Sequence, residues 1–171
     1  MFYNDRPRIK VPYSKKHKII DVLSLLGIFL MAATTYFSSL YMPERVPVHF
    51  DVMGNPDGFA SSVHFFKQNI FFTCVNLIVW IVLSFLRKIP HYYNWPPKIT
   101  AENAEKQYVI GVDFIYYLKA CVILQYISIQ LLSIISAFRG NLRYGHLFVL
   151  PPLLLICCFV GSFIYKSIKN K

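Results

Sequence analysis

Four long apolar stretches dominate this chain: Ile19 to Leu40, Asn69 to Leu86, Ala120 to Phe138 and Leu147 to Tyr165. Each reaches the roughly 17–25 residues a helix needs to cross about 30 Å of hydrocarbon. Inside lipid a segment must satisfy its own backbone hydrogen bonds, so stretches of this kind become helices. The expected fold is all-α and membrane-integral, a single domain over residues 1–171 with four transmembrane helices. A soluble fold fails on size. The chain is 56% hydrophobic with a mean hydropathy of +0.45, and 171 residues enclose too little interior to hide that surface. The first stretch is also too long for a secretory signal core, and it ends in Leu40-Tyr41-Met42-Pro43 without a small-residue cleavage pattern. It reads as a retained helix.

The net charge of +10 would suit a nucleic-acid binder, but its distribution says otherwise. Lys and Arg number six before the first helix, four after the second (Arg87, Lys88, Lys98, Lys106) and three in the tail. The opposite side carries only Arg45, Lys67, Arg139 and Arg143. The positive-inside rule then puts both termini in the cytoplasm, and the charge becomes a topology signal with a grip on anionic lipid. No nucleic-acid partner is expected. The four cysteines lie within the apolar stretches, without disulfide or metal spacing, and read as small packing or lipid-facing residues.

Residues 87–119 form a cytoplasmic bend and a helical approach to the third span. The bend, Ile89-Pro90-His91-Tyr92-Tyr93-Asn94-Trp95-Pro96-Pro97, is rich in the aromatic types that sit at headgroup level. Thr100 is placed to cap a new helix, with Glu102 in its first turn. No strong breaker follows until Arg139-Gly140-Asn141, so the spacing predicts one long helix of about 55 Å from Ala101 to Phe138. Its first part starts in the cytoplasm, which keeps Asp113 and Lys119 near the membrane edge. Asp21 beside Lys18, and Asp113 near Lys119, read as residues near cytoplasmic helix ends in solvated headgroup contacts, with a proton relay as the sharper alternative. Gln125 with Ser128, and Gln130 with Ser133, fit hydrogen bonding between helices, with a polar pathway as the alternative.

The segment with most individual character is the outer loop, residues 43–64. Val46, Val48, Phe50 and Val52 alternate with other residues at the period of a half-buried strand. Asn55-Pro56-Asp57-Gly58 carries turn chemistry, with Pro setting φ and Gly accepting a positive φ. A short β-hairpin is expected between helices 1 and 2, one face on the helix ends and the other presenting His49 and Asp51.

The run Pro43-x-x-Val46-Pro47-Val48-His49-Phe50-Asp51-x-x-Gly54-Asn55-Pro56-Asp57-Gly58-Phe59-Ala60-Ser61-Ser62 between two membrane helices resembles a bacterial membrane family of unknown function. That family is marked by a Pro–His–Phe run followed by Gly and a Pro-Asp-Gly turn, and it includes a membrane protein of immunity and signalling against a secreted peptide toxin. The stretch Glu102 to Tyr108 is also similar to small members, whereas Ser62-Val63 departs from a frequent Ser-Lys. The resemblance implies a multi-pass protein of the bacterial cytoplasmic membrane. It also implies a motif for partner binding or structure made of Pro47, His49, Phe50, Asp51, Gly54, Pro56, Asp57 and Gly58, with a secreted peptide or a membrane protein as the partner.

The residues themselves allow blander readings. His49 can bond a loop backbone group while Asp57 holds the turn through its own side chain. A divalent metal on His49, Asp51 and His64 is the least favoured alternative, and a Ca²⁺ loop fails because Met53 and His64 would occupy its first and twelfth positions. No cofactor is expected. No nucleotide cradle, nucleophile elbow or H-E-x-x-H pattern occurs. The sequence therefore points to a non-enzymatic accessory, immunity or signalling protein, with a small transporter or transporter subunit as the alternative. It specifies no oligomeric state.

Overall fold

A computed structural model describes residues 6–140, 142 and 144–171. Asn141 and Arg143, which entered the breaker and charge readings, lie outside the described residues. Four helices account for most of the chain: α1 (Lys15–Ser39), α2 (Ser62–Leu86), α3 (Ala104–Arg139) and α4 (His146–Lys169). All four are long and apolar enough to cross a membrane. Between α1 and α2 stands an antiparallel hairpin of β1 (Arg45–Phe50) and β2 (Pro56–Ser61). The expected mostly helical fold with a small hairpin is what the structure shows.

Burial on α1 explains why the chain needs lipid. Its buried positions are His17, Asp21, Ser24, Ile28, Met31 and Thr35, a strict alternation of three and four residues that makes one seam. Most of that seam is polar, while Phe29 and Phe37 on the outside are 71% and 63% exposed. Apolar residues outside and polar ones inside reverse the soluble pattern, and this suits a hydrocarbon surround. On α4 the inversion is nearly complete, since only Pro152 and Ser167 are buried.

Helix ends follow local chemistry. Ser14 caps α1 by accepting from the His17 amide, with the His17 ring turned back to the Ser14 N–H. Ser61 caps α2 in the same way through the His64 amide, so α2 begins inside the loop expected over 43–64. The predicted cap of the third helix is corrected. Thr100 and Asn103 bond each other's backbone amides across a separate turn, and α3 starts at Ala104, three residues later than expected. Pro151 and Pro152 stand inside α4, beyond its first turn, and the helix continues through them.

At the end of the bundle opposite the hairpin, the bend folds inward. Trp95, expected at headgroup level, is buried against Tyr108, and its indole N–H donates to Pro90 O at 3.1 Å. The reason is Gly111. A Cβ there would fall 2.2 Å from the indole, so the absent side chain opens the slot Trp95 fills. Arg6 and Tyr108 tie the amino-terminal segment to the same cluster through the carbonyls of His91, Tyr93 and Pro7.

Candidate functional site

The hairpin is pinned to the bundle by its backbone. Val46 is fully buried and Val48 and Phe50 half-buried, so the inward half of the predicted alternation holds. Val52 does not follow it: it lies past the strand and is 77% exposed. The turn itself is corrected. It closes at Asp51–Asn55, where Asp51 N–H donates to Asn55 O and Gly54 N–H to Asp51 O. The positive φ belongs to Gly54 (80°), not Gly58.

Asp51 explains the shift. Its Oδ1 accepts the backbone amides of Met53 and Asn55, both at 2.8 Å, and Oδ2 accepts the Asn55 side-chain amide at 3.0 Å. A carboxylate that collects three donors organises its own turn and outcompetes the Asn-Pro-Asp-Gly signal four residues on. These bonds, the Asn55 side chain first, hold the Asp51 carboxyl below its ordinary range. Pro56, Asp57 and Gly58 are thereby drawn into β2. Gly58 faces His49 across a bulge, where a Cβ would meet the His49 Cβ at 2.8 Å.

The site residues named from the sequence therefore divide. Pro47 is buried in β1 opposite Phe59, and Phe50 pairs with Pro56 at the turn end of the strands. His49 and Asp57 come together, Nδ1 to Oδ1 at 2.5 Å, in place of the expected His49 bond to backbone and Asp57 hold on the turn. Both side chains are largely exposed, so the pair orients more than it stabilises. Asp51 sits in the turn and not beside His49 on a strand face, and His64 opens α2. Among the described residues no three His, Cys, Asp or Glu gather as metal ligands.

Gly54 anchors the tip. It packs on Gly145, at the start of α4, so closely that a Cβ would lie 2.2 Å from the Gly145 carbonyl carbon, and Met53 O accepts the His146 amide at 3.1 Å. Met53 and Phe59 nevertheless remain exposed, and Arg45 lies over the Phe59 ring. The outer surface of the hairpin is thus a firmly held apolar tip beside the hydrogen-bonded His49 and Asp57.

Beneath it lies a partly open cavity of about 300 Å³, bounded by β1 and the four helices and lined by residues that include Met31, Phe65, Phe72, Tyr126 and Gln130. Gln130 reaches α1, where its amide nitrogen donates to Met31 O and Thr35 Oγ1. This is the bonding between helices expected of Gln130. Gln125 has a buried side-chain oxygen with no partner among the described residues.

Residues 26–66 match the model of a domain of unknown function, DUF1648. That span runs from the middle of α1, through both strands, into the first turn of α2, so the hairpin and the adjoining ends of the two helices carry the likeness. It agrees with the expectation of an uncharacterised membrane family. No curated protein and no solved structure matches the chain.

A second polar centre lies deeper in the bundle, where solvated headgroup contacts were expected. Lys119, fully buried, bonds Asp21 and Ser84, joining α3 to α1 and α2. Tyr13 and Tyr116 donate to the same carboxylate, and the Lys119 ammonium lies 4.1 Å from the Tyr116 ring centroid. Asp113 instead takes Lys16 and His17 from α1, at 2.5 and 2.8 Å. The sequence neighbours, Asp21 with Lys18 and Asp113 with Lys119, are not among the observed pairs. The observed ones are neighbours across a helix interface. The three-four spacing of His17, Asp21 and Ser24 with the lower α1 seam was the available signal.

Proposed function

We propose that this chain is a non-enzymatic membrane protein whose hairpin, on the extracytoplasmic face, meets a secreted peptide or a membrane-protein partner in an immunity or signalling role. The observation that carries the reading is the held tip. The underside of the hairpin is tied down through Val46, Gly54 and Met53 O, while Val52 and Met53 stay 77% and 58% exposed. Apolar side chains on a rigid backbone suit recognition, because little conformational freedom is left to lose on binding. The orientation rests on the Lys and Arg bias, which favours both termini in the cytoplasm and the hairpin outside, and the bacterial membrane on the family resemblance. The likeness of the hairpin motif to a family with a peptide-toxin immunity member supplies the class of partner.

The test is a photocrosslinking residue at Met53 in living cells. A discrete adduct that disappears with Val52→Ser or Phe59→Ser identifies the partner. A blank with the protein present and the hairpin reached by an impermeant reagent removes the recognition role. The buried Asp21–Lys119–Ser84 centre favours a second reading, a small transporter or transporter subunit. Unchanged solute flux in folded Asp21→Asn protein would sink it.

A further inference from the structure

The cavity under the hairpin has a chemical character of its own. Its volume, about 300 Å³, lies at the small end of the range of known ligand sites, about 300–1,000 Å³. Met31, Phe72, Tyr126 and Ile129 give it apolar walls, with Phe50 of β1 on the hairpin side. No carboxylate, lysine or arginine lines it.

Three side-chain amides line it as well, and their orientations can be read from their bonds. Asn69 donates its amide nitrogen to Phe65 O at 2.9 Å, and Gln130 donates its own to Met31 O at 3.0 Å. A backbone carbonyl only accepts, so in both residues the nitrogen is turned to the helices and the oxygen is left over. Both residues are buried, Gln130 at 3% exposure, and no donor among the described residues bonds either oxygen. Gln68 adds a buried amide oxygen that likewise has no partner. A buried amide oxygen is normally satisfied, so that of Gln68 calls for a donor, in a cavity whose lining also holds the His49 ring and the Tyr126 and Ser133 hydroxyls.

We propose that this cavity binds a small neutral molecule with an aromatic-sized apolar body and a hydroxyl or N–H donor, the donor directed to the amide oxygens of Gln68, Asn69 and Gln130. The walls select against charge, since an ion would lie among apolar rings with no counter-charge to meet it. This site is separate from the outer tip, and its test does not depend on a partner at Met53.

The full chain is placed in nanodiscs and dialysed to equilibrium against 1-naphthol or its methyl ether, with empty nanodiscs to subtract partition into lipid. The two probes share a ring system and differ in the donor. The expected result is one saturable site per chain, with 1-naphthol bound about tenfold more tightly than the ether, as loss of one buried hydrogen bond implies. Gln68→Leu keeps the bulk and removes the acceptor, so it should weaken 1-naphthol severalfold and leave the ether unchanged. Ile129→Trp fills the space and should abolish both, with an unaltered thermal transition as the control for folding. Three results would overturn the proposal. They are no saturable uptake above empty discs, equal affinity for the two probes, or a phospholipid that mass spectrometry finds retained in the purified chain and that Ile129→Trp expels.

Discussion

Replacing Asp21 with Asn leaves the Lys119 ammonium inside the bundle, facing Ser84 Oγ and the rings of Tyr116 and Trp80. Breaking one side of a buried pair costs about 3–5 kcal/mol, most of it the burden of the uncompensated charge. Lys119→Met is expected to cost less, because the Asp21 carboxylate keeps donors in Tyr13 at 2.6 Å and Tyr116 at 3.3 Å. The double variant has no unpaired ammonium and no carboxylate, so it should be more stable than Asp21→Asn alone. The two single losses should exceed the double loss by about 2 kcal/mol or more, within the range of coupling seen between contacting residues. The assay is reversible unfolding in mixed detergent micelles, followed by tryptophan fluorescence, with all four members of the cycle. If the losses add, or if Asp21→Asn costs under about 1 kcal/mol, Lys119 does not depend on Asp21 and the pairing argument is wrong.

Gly111→Ala sets a Cβ 2.2 Å from the Trp95 ring, and overpacking of this kind should cost about 1–3 kcal/mol. Trp95→Phe in the same chain should recover part of the loss in the same unfolding assay. Gly54→Ala meets both a φ of 80° and the Gly145 backbone, so the tip should detach. Protease cleavage between residues 51 and 56, absent in the parent, would report it. Burial and the bond to Asp21 push the Tyr13 phenol up to about 12 from 10.0, so the folded state holds this proton more tightly than the unfolded one. Its contribution to stability is complete below pH 10 and is lost as the pH rises toward 12, and Tyr13→Phe should flatten that part of the stability profile. Asp51 acts in the opposite sense. Its folded pKa lies below 3.8, so its hold on the turn is present above that pH and is lost as the pH falls through the folded value. The Met53 and Asn55 amide resonances should titrate there and should not in Asp51→Asn.

Much of the architecture was legible along the chain. Length and hydropathy are local properties, and each apolar stretch commits its own backbone to a helix once lipid surrounds it. Strand alternation in Val46, Val48 and Phe50 was legible for the same reason, since a period of two reports one covered face. The turn was misplaced because two turn signals compete within eight residues, and Asp51 wins by three hydrogen bonds that only form when the chain has already reversed. Trp95 was placed at the surface by its residue type, and the Gly111 slot that buries it is sixteen positions away.

The candidate site was less legible than the fold. The motif singled out the hairpin, but which acid meets which base depends on how the helices are rotated and stacked. Asp21 meets Lys119 across ninety-eight positions, and Asp113 meets His17 across ninety-six. No hydropathy stripe in α3 announces them, because this helix packs against the other three and buries polar residues such as Gln107, Lys119 and Gln130 beside apolar ones. The cavity likewise exists only where β1 spans the helix ends and Asn69 and Gln130 turn their amide nitrogens away from it. Local burial and backbone hydrogen bonding therefore specify the elements, whereas charges and amides find their partners only after packing places them together.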